Sequence, residues 1–185
     1  RDVAPSRGLG DVYKRQIEVG VPFSDPMADG VVIQHSSSVA LKNGMTLDLL
    51  LSQVEGARAD AGDTPMILMG YLNPMMQYGV EQLFARCKEA GIDGLIIPDL
   101  PFDEYMREYK SLCDKYDLPI IMLITPETSD ERIRLIDDNC SGFIYMVSSA
   151  STTGTKGSYG PQQLDYFRRV DAMELRPVSY THLRA

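Results

Sequence analysis

Five short runs of Ile, Val, Leu and Met, separated by stretches with helical spacing, place the strongest constraint on how this chain folds. The runs do not alternate between apolar and polar residues, which is typical of strands buried on both faces of a parallel sheet. From the second run onward, each run begins one βα unit after the previous one. We therefore expect a parallel α/β sheet. The runs are Ile17–Phe23, Met66–Tyr71, Gly94–Pro98, Pro119–Ile124 and Gly142–Val147.

The stretches between these runs are predicted to be amphipathic helices. Ser129 is the expected N-cap of the last of them, and Gly91 stands where a helix C-terminal cap would. The predicted apolar faces are Leu47, Leu50, Leu51 and Val54; Leu83, Phe84, Cys87 and Ala90; Tyr105, Tyr109 and Leu112; and Ile133 and Ile136 with the flanking Leu135.

Two sheet architectures fit this repeat. A parallel sheet with βα connections is either a closed barrel or an open doubly wound sheet. A complete barrel needs about 250 residues, so five strands in this chain are either part of a barrel or a complete open sheet. Periodicity alone does not choose between them.

Composition excludes several classes of function. The formal net charge is −8, from 26 acidic and 18 basic residues, which argues against a nucleic-acid partner because such a surface needs a basic patch. No apolar run is long enough to span a membrane. Cys87, Cys113 and Cys140 lack metal-ligand spacing and are expected to be buried thiols in a reducing compartment. We expect a cytoplasmic protein.

Glu18 places a carboxylate inside the first apolar run. Burial of an ionised group is costly unless the group is paired. Desolvation would raise the pKa of Glu18, which suits a general acid/base near neutral pH. The alternative is that Glu18 faces solvent or pairs with a structural Arg, and the residues alone weigh equally for both.

The loop after this run adds further carboxylates. Asp29 follows Glu18 by 11 residues, so a loop that returns over the strand end could bring both into one pocket. Two carboxylates in different environments make a workable acid/base or charge-stabilising pair. For Asp25 and Asp29, ordinary turn chemistry is the competing interpretation.

One string in this region points to a family. The pattern E-x-G-x-P-F-S-D-P-x-A-D-G-x-x-I-Q, from Glu18 to Gln34, closely resembles the signature of the tryptophan synthase α subunit. The segments Met69–Pro74 (MGYLNP), Pro98–Pro101 (PDLP) and Gly142–Gly154 also resemble that family. The resemblance covers residues 17–176. It implies a partial (β/α)8 TIM barrel with about five of eight strands present.

The resemblance implies a lyase that cleaves indole-3-glycerol phosphate to indole and glyceraldehyde 3-phosphate, without metal or organic cofactor. Glu18 would be the catalytic acid/base, and Asp29 would accept a hydrogen bond from the indole N–H. Tyr145 would line the pocket near the glutamate. The other substrate contacts implied are Met69, Ile96, Leu123, Thr153 and Gly154.

The resemblance also implies a partner. Asp25, Pro26, Asn73 and Pro74 match loops that contact the pyridoxal-phosphate-dependent β subunit in an α2β2 complex. Three alternatives stay open: a non-catalytic subunit that only activates a β partner, another phosphosugar barrel enzyme such as indole-3-glycerol phosphate or thiamine phosphate synthase, and an open-sheet binding domain.

The two ends of the sequence depart from the family. Residues 1–16 and 177–185 resemble translated adaptor or cloning sequence, and the final segment matches neither a strand nor a cap. The family's first, seventh and eighth strands are expected to be absent. Because the phosphate site of such barrels lies largely after strands seven and eight, we expect little activity and poor folding of the chain as it stands.

Overall fold

The computed structural model describes residues 16–147 and 160–175, together with the backbone of residues 178–180. Two predicted substrate contacts, Thr153 and Gly154, lie outside the described residues.

The described strands are all parallel and follow one another in chain order. The fourth predicted run forms two short strands, one on each side of Met122, which join a four-stranded sheet to a three-stranded one. The backbone continues across this junction, because the amide of Tyr145 donates to the carbonyl of Met122 at 3.0 Å. The strands are β1 (Ile17–Gly20), β2 (Met66–Met69), β3 (Gly94–Ile96), β4 (Ile120–Ile121), β5 (Leu123–Ile124), β6 (Ile144–Met146) and β7 (Val178–Tyr180).

Helices connect the strands. One of them is interrupted by a π-helical segment at Tyr105–Tyr109. The α-helices are α1 (Val31–Lys42), α2 (Leu47–Ala61), α3 (Leu72–Tyr78), α4 (Val80–Glu89), α5 (Phe102–Glu104), α6 (Lys110–Tyr116), α7 (Asp130–Asn139) and α8 (Pro161–Asp171).

Strand order decides between the two architectures. In an open doubly wound sheet the order reverses and helices cover both faces. Here the order never reverses, and the buried residues of the described helices all belong to one large apolar cluster on one face of the sheet, which we call the outer cluster. The opposite face carries a separate apolar cluster, the inner cluster, of Ile67, Ile96, Ile121 and Tyr145. The fold is therefore part of a (β/α)8 barrel.

The local signals in the sequence explain where two helices begin and end. The Ser129 hydroxyl accepts a hydrogen bond from the amide of Arg132 at 3.3 Å, which confirms the predicted N-cap of α7. Gly91 follows the end of α4 with φ of +78°, a left-handed conformation that glycine adopts without steric cost. Arg58, in the last turn of α2, connects that helix to the turn after α4. Its guanidinium donates to the carbonyl of Gly91 at 3.2 Å and to Asp93 at 3.1 Å.

Three predictions about the elements were wrong. β1 is not buried on both faces: Ile17 is 40% exposed, because β1 pairs only with β2 among the described strands. Asn73 and Pro74 lie in the first turn of α3 rather than in a loop. Val178–Tyr180, in the segment expected to match no strand, pairs with β6 as β7.

Helix α1 was not predicted from the sequence. None of its residues is buried, and its Val, Ile and Leu side chains are exposed in the described structure, so the helix lacks the buried apolar face that marks the others. The three cysteines are buried and are not joined by disulfides, as expected. Among the described helices, none has both the length and the apolar character that a bilayer span requires.

Candidate active site

The register of the strands places Glu18 on the inner face of the sheet. In a parallel pair, residues opposite each other point to the same face, and successive residues alternate. Glu18 stands opposite Ile67, which belongs to the inner cluster. The next residue, Val19, packs against the outer cluster, as the alternation requires.

The four predicted apolar substrate contacts in the described structure share this inner face. Ile96 and Tyr145 are buried members of the inner cluster, and Met69 and Leu123 pack against it while partly exposed. Met69 pairs with Ile96, and Leu123 pairs with Tyr145, so the four come from two pairs of adjacent strands. The sheet thus brings a carboxyl group and an apolar surface to one face.

Glu18 is partly buried and accepts a hydrogen bond from Gln16. The side-chain amide of Gln16 donates to its Oε1 at 2.9 Å. Burial raises the pKa of Glu18 above its ordinary value, and the hydrogen bond from Gln16 partly opposes that rise. A carboxyl group with a raised pKa can donate and recover a proton closer to neutral pH than an exposed glutamate can.

Asp29 lies in the loop at the carboxyl ends of the strands and interacts with Tyr71. Burial raises the pKa of Asp29, and the Tyr71 hydroxyl partly opposes the rise. The two carboxyl groups are therefore tuned by different neighbours, Gln16 for Glu18 and Tyr71 for Asp29. Such a difference lets one carboxyl transfer protons while the other stays ionised and accepts a hydrogen bond.

Several contacts fix the course of this loop. The amide of Val21 donates to the carbonyl of Met69 at 2.8 Å, which extends the pairing of β1 with β2. The loop then crosses Gly70 so closely that a Cβ there would lie 2.7 Å from the Cβ of Val21. At the far end of the loop, the side-chain amide of Gln34 in α1 donates to the backbone carbonyl of Asp29 at 2.7 Å.

The predicted partner-contact residues lie in segments that follow the carboxyl ends of β1 and β2. Asn73 is exposed, Pro74 is half-buried, and both line a groove of about 390 Å³ together with the loop residues Phe23 and Ser24. Asp25 is exposed and accepts a hydrogen bond from the hydroxyl of Ser24. Pro26 is half-buried and is not part of the groove lining. The groove thus gathers two of the four predicted contacts.

Two residues near the site were missed by the sequence analysis. Tyr71 contacts the loop that carries Asp29, and Asp99 accepts a hydrogen bond at 2.9 Å from the amide of Leu72 at the start of α3. Both lie within three residues of the carboxyl end of a strand, which is the position where functional side chains gather in such barrels. That placement is the signal that could have found them. Within the described residues, no three His, Cys, Asp or Glu side chains form a metal-binding group.

Comparisons with known proteins agree on one family. A family model described as tryptophan synthase alpha chain matches residues 6–181. The tryptophan synthase alpha chain of Parabacteroides distasonis is 59% identical over 160 residues, which are 86% of this chain and 62% of that protein. The corresponding chain of Flavobacterium johnsoniae is 56% identical over 160 residues, 86% of this chain and 63% of the relative.

Solved structures give the same result for the fold. A mutant tryptophan synthase alpha subunit from the hyperthermophile Pyrococcus furiosus superposes with a TM-score of 0.80 at 35% identity, covering 94% of this chain and 69% of that one. Mycobacterium tuberculosis tryptophan synthase gives 0.78 at 32% identity, covering 92% and 65%. This chain thus spans just over three fifths of the length of its curated relatives. The family match extends over nearly the whole sequence, and the chain belongs to the tryptophan synthase alpha chain family.

Proposed function

We propose that this chain carries the catalytic carboxylates of a lyase that cleaves indole-3-glycerol phosphate to indole and glyceraldehyde 3-phosphate. The observation that carries the proposal is Glu18, a partly buried carboxyl with a raised pKa on the sheet face that holds the inner cluster. Since the chain spans 62% of the Parabacteroides distasonis relative, the activity belongs to the complete barrel.

The proposed reaction assigns both proton transfers to Glu18, which first acts as an acid and then as a base. Its carboxyl protonates the indole ring carbon that bears the glycerol side chain, which places positive charge on the ring nitrogen. Asp29 accepts a hydrogen bond from the indole N–H and stabilises that charge. The carbon–carbon bond to the side chain then breaks, and its electron pair returns to the ring. The adjoining hydroxyl gives its proton to the Glu18 carboxylate as the aldehyde forms, which restores the acid.

Substrate recognition requires an apolar surface for the indole ring and a separate site for the phosphate. The indole ring is flat and apolar, and we assign its binding to the inner-face residues Met69, Ile96, Leu123 and Tyr145. Thr153 and Gly154, which lie outside the described residues, are proposed to close over the phosphate. The rest of the phosphate site is expected on segments of the complete barrel that this chain does not supply.

A grafted barrel tests the proposed reaction. Residues 17–175 replace the matching segment of the Parabacteroides distasonis relative, which supplies the remaining barrel. Indole release is then measured for the graft and for its Glu18→Gln variant. We expect kcat to fall by about 10²-fold or more, as for the loss of a general acid/base. Glu131→Gln is the matched control, because it removes the same charge from the exposed first turn of α7.

Two outcomes of this experiment separate the alternatives. A Glu18→Gln graft that releases indole at the parent rate would reject the acid/base role. If the parent graft releases no indole but still stimulates a tryptophan synthase β subunit, the chain acts as a non-catalytic activating subunit instead. The 185-residue chain, assayed in parallel, is expected to release little indole.

We also propose a β-subunit partner in an α2β2 complex, with the reaction in the cytoplasm. The groove beside Asn73 and Pro74 supports this proposal, since it lies beside the loop that carries Asp29. In the graft, Asn73→Arg is expected to weaken binding of a tryptophan synthase β subunit by at least about tenfold in calorimetry, because a long charged side chain would occupy an interface core. Asp117→Arg, at an exposed position after α6, is the control. Equal affinities for the graft and its Asn73→Arg variant would place the interface elsewhere.

Residues 1–16 and 177–185 remain proposed cloning sequence. Reading the source DNA across both junctions tests this. Continuation of the frame into further βα units of the family would support it, and the same tails in the genome would reject it.

A further inference from the structure

Tyr71 connects the end of β2 to the loop that carries Asp29. Its ring is 6% exposed and lies 5.5 Å from the ring of Phe23, measured between centroids. Its hydroxyl accepts a hydrogen bond from the amide of Ala28 at 3.0 Å. The residues joined in this way are 43 positions apart in the sequence, so the contact is a tertiary one.

The direction of each hydrogen bond at this hydroxyl is fixed by its chemistry. A phenol has one proton to donate, and backbone amides can only donate. The amide of Ala28 therefore donates to the Tyr71 oxygen, and the single proton of the hydroxyl is left for an acceptor such as the carboxylate of Asp29, the next residue in the loop. The Tyr71 hydroxyl lowers the pKa of Asp29, which agrees with this direction. A hydrogen bond to an ionised acceptor is stronger than a neutral one.

We propose that Tyr71 is a positioning residue, whose hydroxyl orients the Asp29 carboxylate for the hydrogen bond to the indole N–H. The inference rests on the proposed function for the role of Asp29, and on the described contacts for the role of Tyr71. The hydrogen bond from the Ala28 amide to the Tyr71 hydroxyl fixes the backbone directly before Asp29. A carboxylate has several lone pairs, so Asp29 can accept from the Tyr71 hydroxyl and from the substrate at the same time.

A competing interpretation is that Tyr71 only packs. Its ring contacts Phe23 and fills space at the strand end, and a phenylalanine would do the same. The two interpretations differ in the hydroxyl alone, so Tyr71→Phe separates them while it keeps the ring.

The first test measures the titration of Asp29 in the grafted barrel by carboxyl ¹³C NMR. Tyr71→Phe is expected to raise the pKa of Asp29, because the hydroxyl that lowers it is lost. The titration of Glu18 should not move. Tyr116→Phe is the matched control, since it removes a hydroxyl that donates to another carboxylate, Glu81, at 3.3 Å. An Asp29 pKa that is the same in the parent and in Tyr71→Phe would overturn the proposal.

The second test uses the grafted barrel and separates the failure of this inference from that of the proposed function. Tyr71→Phe is expected to lower kcat by about tenfold, the size expected when a hydrogen bond to a charged group is lost, with KM changed less. In an Asp29→Asn background the same change should have almost no effect, because the two residues act as one unit.

Each result has a distinct meaning. Additive losses in the double variant would reject positioning through Asp29. Asp29→Asn with full activity would reject the proposed role of Asp29, whatever the NMR titration shows.

Discussion

Glu18 carries an ionisable carboxyl group at a partly buried position in a strand, and burial disfavours the ionised form. Its folded-state pKa is raised, so the folded chain holds the proton more tightly than the unfolded chain does. Between the unfolded and the folded pKa the folded state binds more protons, and stability falls as the pH rises through that window. Below the unfolded pKa the carboxyl is protonated in both states, and this loss of stability is absent. At neutral pH the ionised carboxyl therefore reduces the free energy of unfolding.

This reasoning gives a prediction for Glu18→Gln. The variant should unfold at a higher temperature than the parent at about pH 7, by a few degrees at most since the carboxyl is only partly buried. The difference should vanish at about pH 4, where both chains carry a neutral side chain. Calorimetry at the two pH values measures it, and Glu131→Gln should show no such pH dependence. A variant less stable than the parent at neutral pH would contradict the assigned cause of the raised pKa.

Individual site residues differ in how far sequence could reveal them. Glu18 was predicted because a carboxylate interrupts an apolar run, and Met69 and Ile96 because the family resemblance implied them. The role of Tyr71 depends on a loop returning from a distant strand, which no local pattern encodes. For the same reason the sequence does not reveal which neighbour shifts the pKa of each carboxyl group.

Helix α7 shows how much a single capping side chain contributes to an element. The first amides of a helix have no partner within it, and Ser129 satisfies one of them. Ser129→Ala should lower the free energy of unfolding by about 1 kcal/mol. Ser129→Asp keeps an acceptor oxygen and should restore most of it. Urea unfolding of the three proteins measures this, and equal midpoints for the parent and Ser129→Ala would show that the cap contributes nothing.

Strands and helices were predicted well where their apolar pattern is strong, and poorly where contacts with the rest of the chain decide the local structure. The runs at β2, β3 and β6 are apolar on successive positions, and each forms a buried strand. Helix α1 lacks a buried face and gave no such signal. The family resemblance implied a loop at Asn73 and Pro74, yet both residues belong to α3, whose first amide donates to Asp99.

At the scale of the molecule, burial is distributed unevenly across the sheet. β3 lies between two neighbouring strands and is fully buried, whereas β1 has one neighbour among the described strands and the helix after it buries no side chain. Resistance to local opening should therefore be highest near β3 and lowest at β1 and α1.

Two matched truncations test this distribution. Leu95→Ala, in β3 and fully buried, should lower the free energy of unfolding by about 2–5 kcal/mol because it leaves a cavity. Val31→Ala, at a position that is 80% exposed, should change it by no more than about 0.5 kcal/mol. Denaturant unfolding measures both. Comparable losses for the two variants would mean that α1 is covered in solution.

The positions of the three thiols have a further consequence for experiments. Cys87, Cys113 and Cys140 all belong to the outer cluster, and burial raises the pKa of Cys87 to about 12 and of Cys113 to about 11. A thiol-specific dye near pH 8 can thus react only when helices separate from strands. The inner cluster contains no cysteine. Dye labelling therefore times the opening of one side of the sheet while leaving the side that holds Glu18 chemically untouched.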